Sequence, residues 1–464
     1  MSMSKSLWQR GIAAAHRMGA ALLVAALTAT LAAPVPAFGQ EASGEGPRLT
    51  LGEAFRQFAE QSPELRAARA LVAGAVGRLR LTSAYPNPSA TVTYEPLFGN
   101  GGSGEGGSGG SPSEAYFNLH QELRWPGERS ARIEAAERRV AATRARARAD
   151  SLRGTYRVAE LFVEAVAAER RAEAFREVVE TFRTAEERGG ERLALGDFSG
   201  YSLRRVRIER TRYESRLLRA DLDAAEARRR LTRLLTPAGE STAALVQPVL
   251  NLEQRPSALA RGQVVATALA GRAEIAAADA EQEAADAALN AARLAWRPDP
   301  TVTAGYKRQS DGLQGLFLGV SVPLPIYHQN EGQIEARQAE LRAAEARRQL
   351  AERRVRSDVE AAVARYTALR ERFGAVEENL LVEADAVLLG QADNLLDAAR
   401  TSYAEGEMSL VELLDAATAY QEARLVTTDL LADLWTSYFR VLSAQGQSPL
   451  RMADPSFQTT NTNP

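Results

Sequence analysis

The longest regular alternation of apolar and polar positions lies between residues 355 and 380. Val355, Val359, Ala362, Tyr366, Leu369, Phe373, Val376 and Leu380 are spaced alternately by four and three residues. A period of 3.5 is the seam of a left-handed coiled coil. No proline falls between about 329 and 403, so the pattern predicts a helix of roughly 75 residues, on the order of 110 Å at 1.5 Å per residue. The stretch at about 127–194 is also free of proline and predicts a helix of roughly 100 Å. Neither is apolar all round. Each has to lay its stripe on equally long neighbours: the returning segments at about 201–235 and 408–445, and other copies of the chain.

Four shorter segments alternate with period two. In "YFNLHQEL" (116–123), Phe117, Leu119 and Leu123 share a face against Asn118, His120 and Glu122. In "LFLGVSV" (316–322), Leu316, Leu318, Val320 and Val322 fall together. Ala90, Val92 and Tyr94, and Val302, Ala304 and Tyr306, alternate with threonines, Glu95 and Lys307. One apolar and one polar face fits a half-buried strand of a soluble sandwich. It also fits a transmembrane barrel with a wet lumen. Four strands cannot close a barrel alone, so the second reading requires a barrel shared between subunits.

The chain also repeats itself. "SAYPNPSATVTY" (83–94) resembles "LAWRPDPTVTAGY" (294–306), and "RIEAAERRVAA" (132–142) resembles "QIEARQAELRAA" (333–344). The offset falls from 212 at the proline pairs to 201 at Ile133 and Ile334, because the first half carries the extra loop "GNGGSGEGGSGGSPS" (99–113). A period near 210 is too long for a solenoid, and marks a duplicated subdomain. The first repeat is placed at 40–235, with a helical region at about 49–82, strands at about 89–95 and 115–124, and a long helical hairpin at 127–235. The second is placed at 262–446, with helix at about 262–295, strands at about 300–308 and 315–323, and a hairpin at 329–446. Pro63 suits the first turn of a helix, and the proline pairs end the preceding helices. Residues 236–261 read as a linker, and 447–464 as a polar tail.

Composition narrows the function. Charged residues make up 25% and aromatic ones 6%, a profile of long helices. Lys5 and Lys307 are the only lysines, and the formal net charge is −2. That balance does not fit a nucleic-acid binder. Residues 1–39 carry Lys5, Arg10 and Arg17, then "MGAALLVAALTATLAA", then Val35-Pro36-Ala37. This is the pattern of a secretory signal peptide, cleaved near Ala37–Gly39. The apolar core is short of the ~20 residues a spanning helix needs. Without the leader the charge becomes −5, since three cations and no acid are removed. The chain has no cysteine, hence no disulfide, no thiolate metal site and no lipid on an N-terminal cysteine. With no later apolar twenty-mer, entry into a membrane has to be as a β-barrel.

Candidate chemistry is sparse. His16 lies in the leader, and His120 and His328 stand alone. No Ser/His/Asp order or paired catalytic carboxylates stand out. The glycine-rich loop lacks the Lys-Ser/Thr that would cradle phosphate. Two interruptions between long helices do match: "RLALGDFSGYSLRR" (192–205) and "SYAEGEMSLVELLD" (402–415) share Gly196/Gly406, Asp197/Glu407 and Ser199/Ser409. Glycine suits the end of the incoming helix, and serine the cap of the returning one. Glu412 and Asp415 follow the second tip at i and i+3, on one helix face.

In this plan the chain resembles the TolC-like outer membrane efflux factors. The resemblance covers essentially the whole chain after the leader. Its most specific pieces are "YAEGEMSLVELLDAATAYQEAR" (403–424), the echo "LALGDFSGYSLRRVRIE" (193–209), and "VPLPIYHQNEGQI" (322–334). It implies a mainly α fold with a small β-barrel part. Three subunits would close a twelve-stranded barrel in the outer membrane, on top of a helical cylinder that crosses the periplasm. It also implies a passive exit duct, without enzymatic activity or cofactor, for small molecules or metal ions. The partners implied are a homotrimer, a periplasmic adaptor, an inner-membrane transporter of the resistance-nodulation-division type or similar, and outer-membrane lipid.

The tips, Leu195, Gly196, Ser199, Gly406, Met408 and Ser409, would meet the adaptor. Tyr403, Glu412, Asp415, Ser202 and Arg205 would form the periplasmic aperture. Six carboxylates from three subunits would repel one another, raise some carboxyl pKa values and attract cations. Departures from the family pattern are Ser202 in place of an acid and Met408 in place of a base. Arg205 stands where the second half has Asp415, which opens the option of an Arg205–Asp415 latch. Two other readings are an exported trimeric coiled-coil spacer or adhesin, which leaves the duplicated strand pairs unexplained, and an exit duct for type I protein secretion.

Overall fold

The computed structural model describes residues 48–96, 113–196, 198–236, 247–250, 252, 264–310, 312–327, 329–380 and 388–446. The expected leader, most of the glycine-rich loop, Asp197, His328 and the polar tail lie outside these residues. So do the side chains of Val376 and Leu380.

The described chain is mainly helical. Strand β1 (Arg48–Thr50) leads into α1 (Leu51–Gln61) and α2 (Pro63–Ser83). Thr50 caps α1 in a reciprocal capping box with Glu53, and Pro63 occupies the first turn of α2. The hairpin β2 (Ser89–Pro96) and β3 (Ser113–Glu122) follows, then α3 (Pro126–Ala194) and α4 (Gly200–Leu235). After β4 (Gln247–Val249) the plan repeats. Helices α5 (Val264–Gly271) and α6 (Ala273–Leu294) precede the hairpin β5 (Thr301–Gln309) and β6 (Gln314–Ser321). The long helices α7 (Glu331–Leu380), α8 (Leu388–Glu405) and α9 (Leu410–Ala444) complete the repeat.

Helix α3 has 69 residues, roughly 100 Å of continuous helix. The helix expected over 329–403 is described as α7 and α8, and residues 381–387 between them lie outside the described chain. Its seam packs as the period requires. Val355, Val359, Tyr366 and Phe373 are buried, with Ala362 and Leu369 packed beside them.

The four longer strands form one antiparallel sheet in the order β2-β3-β5-β6. The two repeats join through β3 and β5, where Phe117 pairs with Tyr306 and Leu119 with Ala304. Strand alternation then sorts the faces. Ala90 and Val92, Leu119 and Phe117, Ala304 and Tyr306, and Leu318 and Leu316 line up across all four strands. This apolar face is uncovered, with Leu316 at 86% and Leu318 at 83% exposure. The other face is polar: His120 Nδ1 lies 2.9 Å from Thr303 Oγ1, and Lys307 pairs with Glu114 at 2.8 Å. Phe317 breaks the alternation. It covers Gly305 on the polar face, where an added Cβ would run into its ring, an aromatic filling the gap a strand glycine leaves. Strands β2 and β6 each have one edge without a partner among the described residues. No described helix is long and apolar enough to cross a membrane.

The helices below the sheet keep the strand order. α2 packs on α3, α3 on α6 and α6 on α7. Midway along them, β1 and β4 pair in parallel, Arg48 with Gln247 and Thr50 with Val249. Residues 247–249 of the expected linker therefore pair with 48–50, which are strand where helix was expected from about 49. Phe55 and Phe58 of α1 are buried beside Phe162, Leu231 and Phe439, and Trp435 Nε1 donates to the Leu252 carbonyl at 3.0 Å.

Candidate aperture and hairpin tips

Both tips are built by the same three devices. The incoming helix ends on a glycine in the left-handed region, Gly196 at φ 85° and Gly406 at φ 83°. A side chain there would be strained, which is why glycine recurs at the same place. Serine then caps the returning helix: Ser199 Oγ accepts from the Ser202 amide at 3.0 Å, and Ser409 Oγ from the Glu412 amide at 3.4 Å. The residue before each cap folds back as an apolar staple. Phe198 and Leu203 both lean on Gly189, where an added Cβ would lie 2.9 Å and 3.4 Å from them. Met408 packs against the cluster that holds Leu413.

The tips then diverge. Glu412 closes a full capping box, with its carboxylate accepting from the Ser409 amide at 2.7 Å. These hydrogen bonds hold the Glu412 carboxyl below its ordinary pKa. In the single chain this runs opposite to the rise expected from crowded carboxylates. Ser202, at the matching place in the first half, lies 3.0 Å from Ser199 Oγ. Leu195 is exposed, with its amide bonded to the Glu191 carbonyl at 3.3 Å.

Asp415 and Arg205 are both exposed, and no ion pair joins them within the chain. Tyr403 does not line a surface of the single chain. It is 5% exposed, within a cluster that includes Phe182, Tyr213, Leu396, Leu413 and Tyr420. Its hydroxyl has no hydrogen-bond partner among the described residues, and burial pushes its pKa up, against the smaller pull of Arg192 and Arg188. The fold thus gathers Glu412 and Asp415 on an open face and seats Tyr403 behind them.

One residue at this end went unnoticed in the sequence. Arg400, on α8, ties the second hairpin to α3. Its Nε donates to Thr181 Oγ1 at 2.8 Å, and its Nη2 to the Glu177 carbonyl and carboxylate, both at 2.9 Å. Nη1 reaches Asp397 at 3.1 Å. Higher up, Arg171 pairs with Asp429 at 2.7 Å and Arg440 with Glu160 at 2.9 Å, again between the halves. Among the described residues no group of three or more His, Cys, Asp or Glu could hold a metal ion.

The family model for outer membrane efflux proteins matches residues 54–236 and 264–447, one match per repeat. The cobalt-zinc-cadmium resistance protein CzcC of Cupriavidus metallidurans is 27% identical over 403 residues, covering 84% of this chain and 88% of CzcC. The nickel and cobalt resistance protein CnrC of the same organism is 27% identical over 303 residues, 63% of this chain and 68% of its own. Among solved structures, the Campylobacter jejuni CmeC outer membrane channel superposes with a TM-score of 0.68 at 17% identity, over 85% of each chain. Duplicated halves, an uncovered apolar sheet and paired helical tips all agree with these matches, and the chain belongs to the outer membrane efflux protein family, whose members are efflux channels of the outer membrane and periplasm, not enzymes.

Proposed function

We propose that this chain is the trimeric exit duct of a tripartite pump for divalent transition-metal cations. The observation that carries the trimer is the four-stranded sheet, with two unpartnered edges and an uncovered apolar face. Such a sheet exposes a row of backbone donors and acceptors, and closing it with copies of itself removes both edges. Three copies make a twelve-stranded barrel with the apolar face toward lipid and the polar face toward the lumen.

The tips at Leu195, Gly196, Ser199, Gly406, Met408 and Ser409 then meet a periplasmic adaptor, which links the duct to an inner-membrane pump of the resistance-nodulation-division type. Tyr403, Glu412, Asp415, Ser202 and Arg205 surround the aperture. Its carboxylates raise the local concentration of cations without chelating them. The metal cargo rests on the relatives named for cobalt, zinc, cadmium and nickel resistance.

Two measurements test this. A strain lacking the protein is expected to lose tolerance to zinc, cobalt, cadmium or nickel salts, and to keep its tolerance to hydrophobic drugs. The reverse pattern would overturn the cargo. In planar bilayers the purified protein is expected to conduct with a cation-selective reversal potential. An unchanged potential in Glu412→Gln/Asp415→Asn would overturn the aperture.

A further inference from the structure

We propose that Arg308 anchors the phosphate of an acylated glycolipid of the outer leaflet, in a shallow cleft at the outer rim of the sheet. Strand register places Tyr94, Ala115, Arg308 and Gln314 in one row across the four strands. The next row on the same face is Val92, Phe117, Tyr306 and Leu316. Both rows belong to the uncovered apolar face. Among the described strand residues of that face, Arg308 alone carries a charge. It is exposed, and among the described residues its guanidinium has no ion pair and no hydrogen bond.

Depth explains how an apolar face tolerates a guanidinium. Below β3 the strand ladder runs on: the Leu123 amide donates to the Pro300 carbonyl, and the Trp125 indole to the Pro298 carbonyl, both at 2.8 Å. From Ala115 in the outer row to Trp125 is about 33 Å of extended chain. At the tilt of barrel strands that is about 25 Å of height, the thickness of an apolar band between its two aromatic girdles. Trp125 and Trp296, 46% and 48% exposed, mark the inner end, and Tyr94 and Tyr306 the outer. Arg308 therefore lies at headgroup level, where a cation costs little compared with the midplane. That rim carries the hairpin turns, at the end of the sheet opposite the helices, so its headgroups are those of the outer leaflet.

The rim suits an anionic head carried on acyl chains. Tyr94 and Arg308 stand two strands apart, about 10 Å, and the small Ala115 between them leaves a cleft. On the other side of Arg308, the Tyr306 hydroxyl donates to Gln314 Oε1, which leaves the Gln314 amide nitrogen to donate outward. A phenol, a carboxamide and a guanidinium fork shaped for phosphate oxygens thus converge on one row. Val92, Phe117 and Leu316, a row deeper, offer an apolar surface for acyl chains. The nearby carboxylate of Glu114 faces the other way and is paired with Lys307. Strand β5 is an inner strand of the sheet, so a second copy joined at the free edges leaves Arg308 open to lipid. The outer leaflet supplies the matching ligand, a glycolipid with phosphates at headgroup level and acyl chains below.

This inference rests on the lipid-facing barrel proposed above, so the test separates the two. In vesicles of phosphatidylethanolamine with brominated acyl chains, the fluorescence of Trp125 and Trp296 is expected to be quenched in the parent chain and in Arg308→Gln alike. Trp435, buried in the midsection, stays unquenched. Absence of quenching in both chains would overturn both proposals. The purified protein is then mixed in detergent with bisphosphorylated lipid A or with lipid A stripped of its phosphates, and bound glycolipid is counted by native mass spectrometry. The parent chain is expected to bind the phosphorylated form at least fivefold more tightly. Arg308→Gln is expected to lose that preference, and Arg308→Lys to keep part of it. Quenching without any preference in the parent chain, or an undiminished preference in Arg308→Gln, would overturn the phosphate site alone. Inorganic phosphate is expected to leave lipid A bound, and displacement by it would assign the cleft to free phosphate and overturn the glycolipid.

Discussion

The Ser409 amide donates to the Glu412 carboxylate at 2.7 Å, and the Glu412 amide returns a bond to Ser409 Oγ at 3.4 Å. One carboxylate therefore both starts a helix and supplies charge at the tip. Substitution separates the roles, because glutamine also closes a capping box. Glu412→Gln is expected to shift reversal potential and leave the tip intact, whereas Glu412→Ala shifts both. The cap is also pH-sensitive. A carboxyl whose pKa is lowered by folding stabilises above its unfolded value, about 4.3, and that contribution fades as pH falls through the lowered value. Limited proteolysis at 405–410 is expected to accelerate at acid pH in the parent chain but much less in Glu412→Gln. Equal acceleration in both would disprove the cap's part.

Gly154 of α3 lies under the Phe58 ring, where an added Cβ would overlap ring atoms. Both are buried in the midsection that joins α1 to the long helices. Gly154→Ala is expected to cost about 1–3 kcal/mol through overpacking, read as a lower melting temperature. Phe58→Leu in the same chain should recover part of the loss, since residues in contact are not additive. Simple additivity would show that the contact is not the cause.

Arg400 bridges α8 to α3 through Thr181 and Glu177. Its charge-assisted bonds are partly exposed, which limits their worth to about 1 kcal/mol. The larger effect expected is mechanical. Arg400→Gln should free the second hairpin and raise single-channel conductance, with little change in melting temperature. A lysine, lacking the planar fork, should rescue poorly. Unchanged conductance in Arg400→Gln would place the hairpin under other control.

Much of the architecture is legible in local periodicity. Strand faces, helix seams and tip signals depend on residues fewer than ten apart, so the alternation around Phe117 and Leu316 and the caps at Ser199 and Ser409 could be read directly. The misses have the opposite character. β1 and β4 are three residues each, and a strand that short has no period of its own. The Arg400 clamp joins positions 223 apart, and one arginine among many carries no mark. The burial of Tyr403 within the single chain likewise carries no mark in the sequence. Its neighbours come from four helices, and only their packing decides which way it faces.

The sequence by itself determined the duplication, the lengths of the helices and the amphipathic strands, because each is a repeat of side-chain type along the chain. Tertiary structure decided that β3 pairs with β5 and so fuses the halves into one sheet with two free edges. It also decided that Arg400 of α8 clamps Thr181 and Glu177 of α3. Those outcomes rest on contacts between residues some two hundred positions apart. Hydrophobic burial and hydrogen-bond satisfaction select them only when the whole chain is assembled.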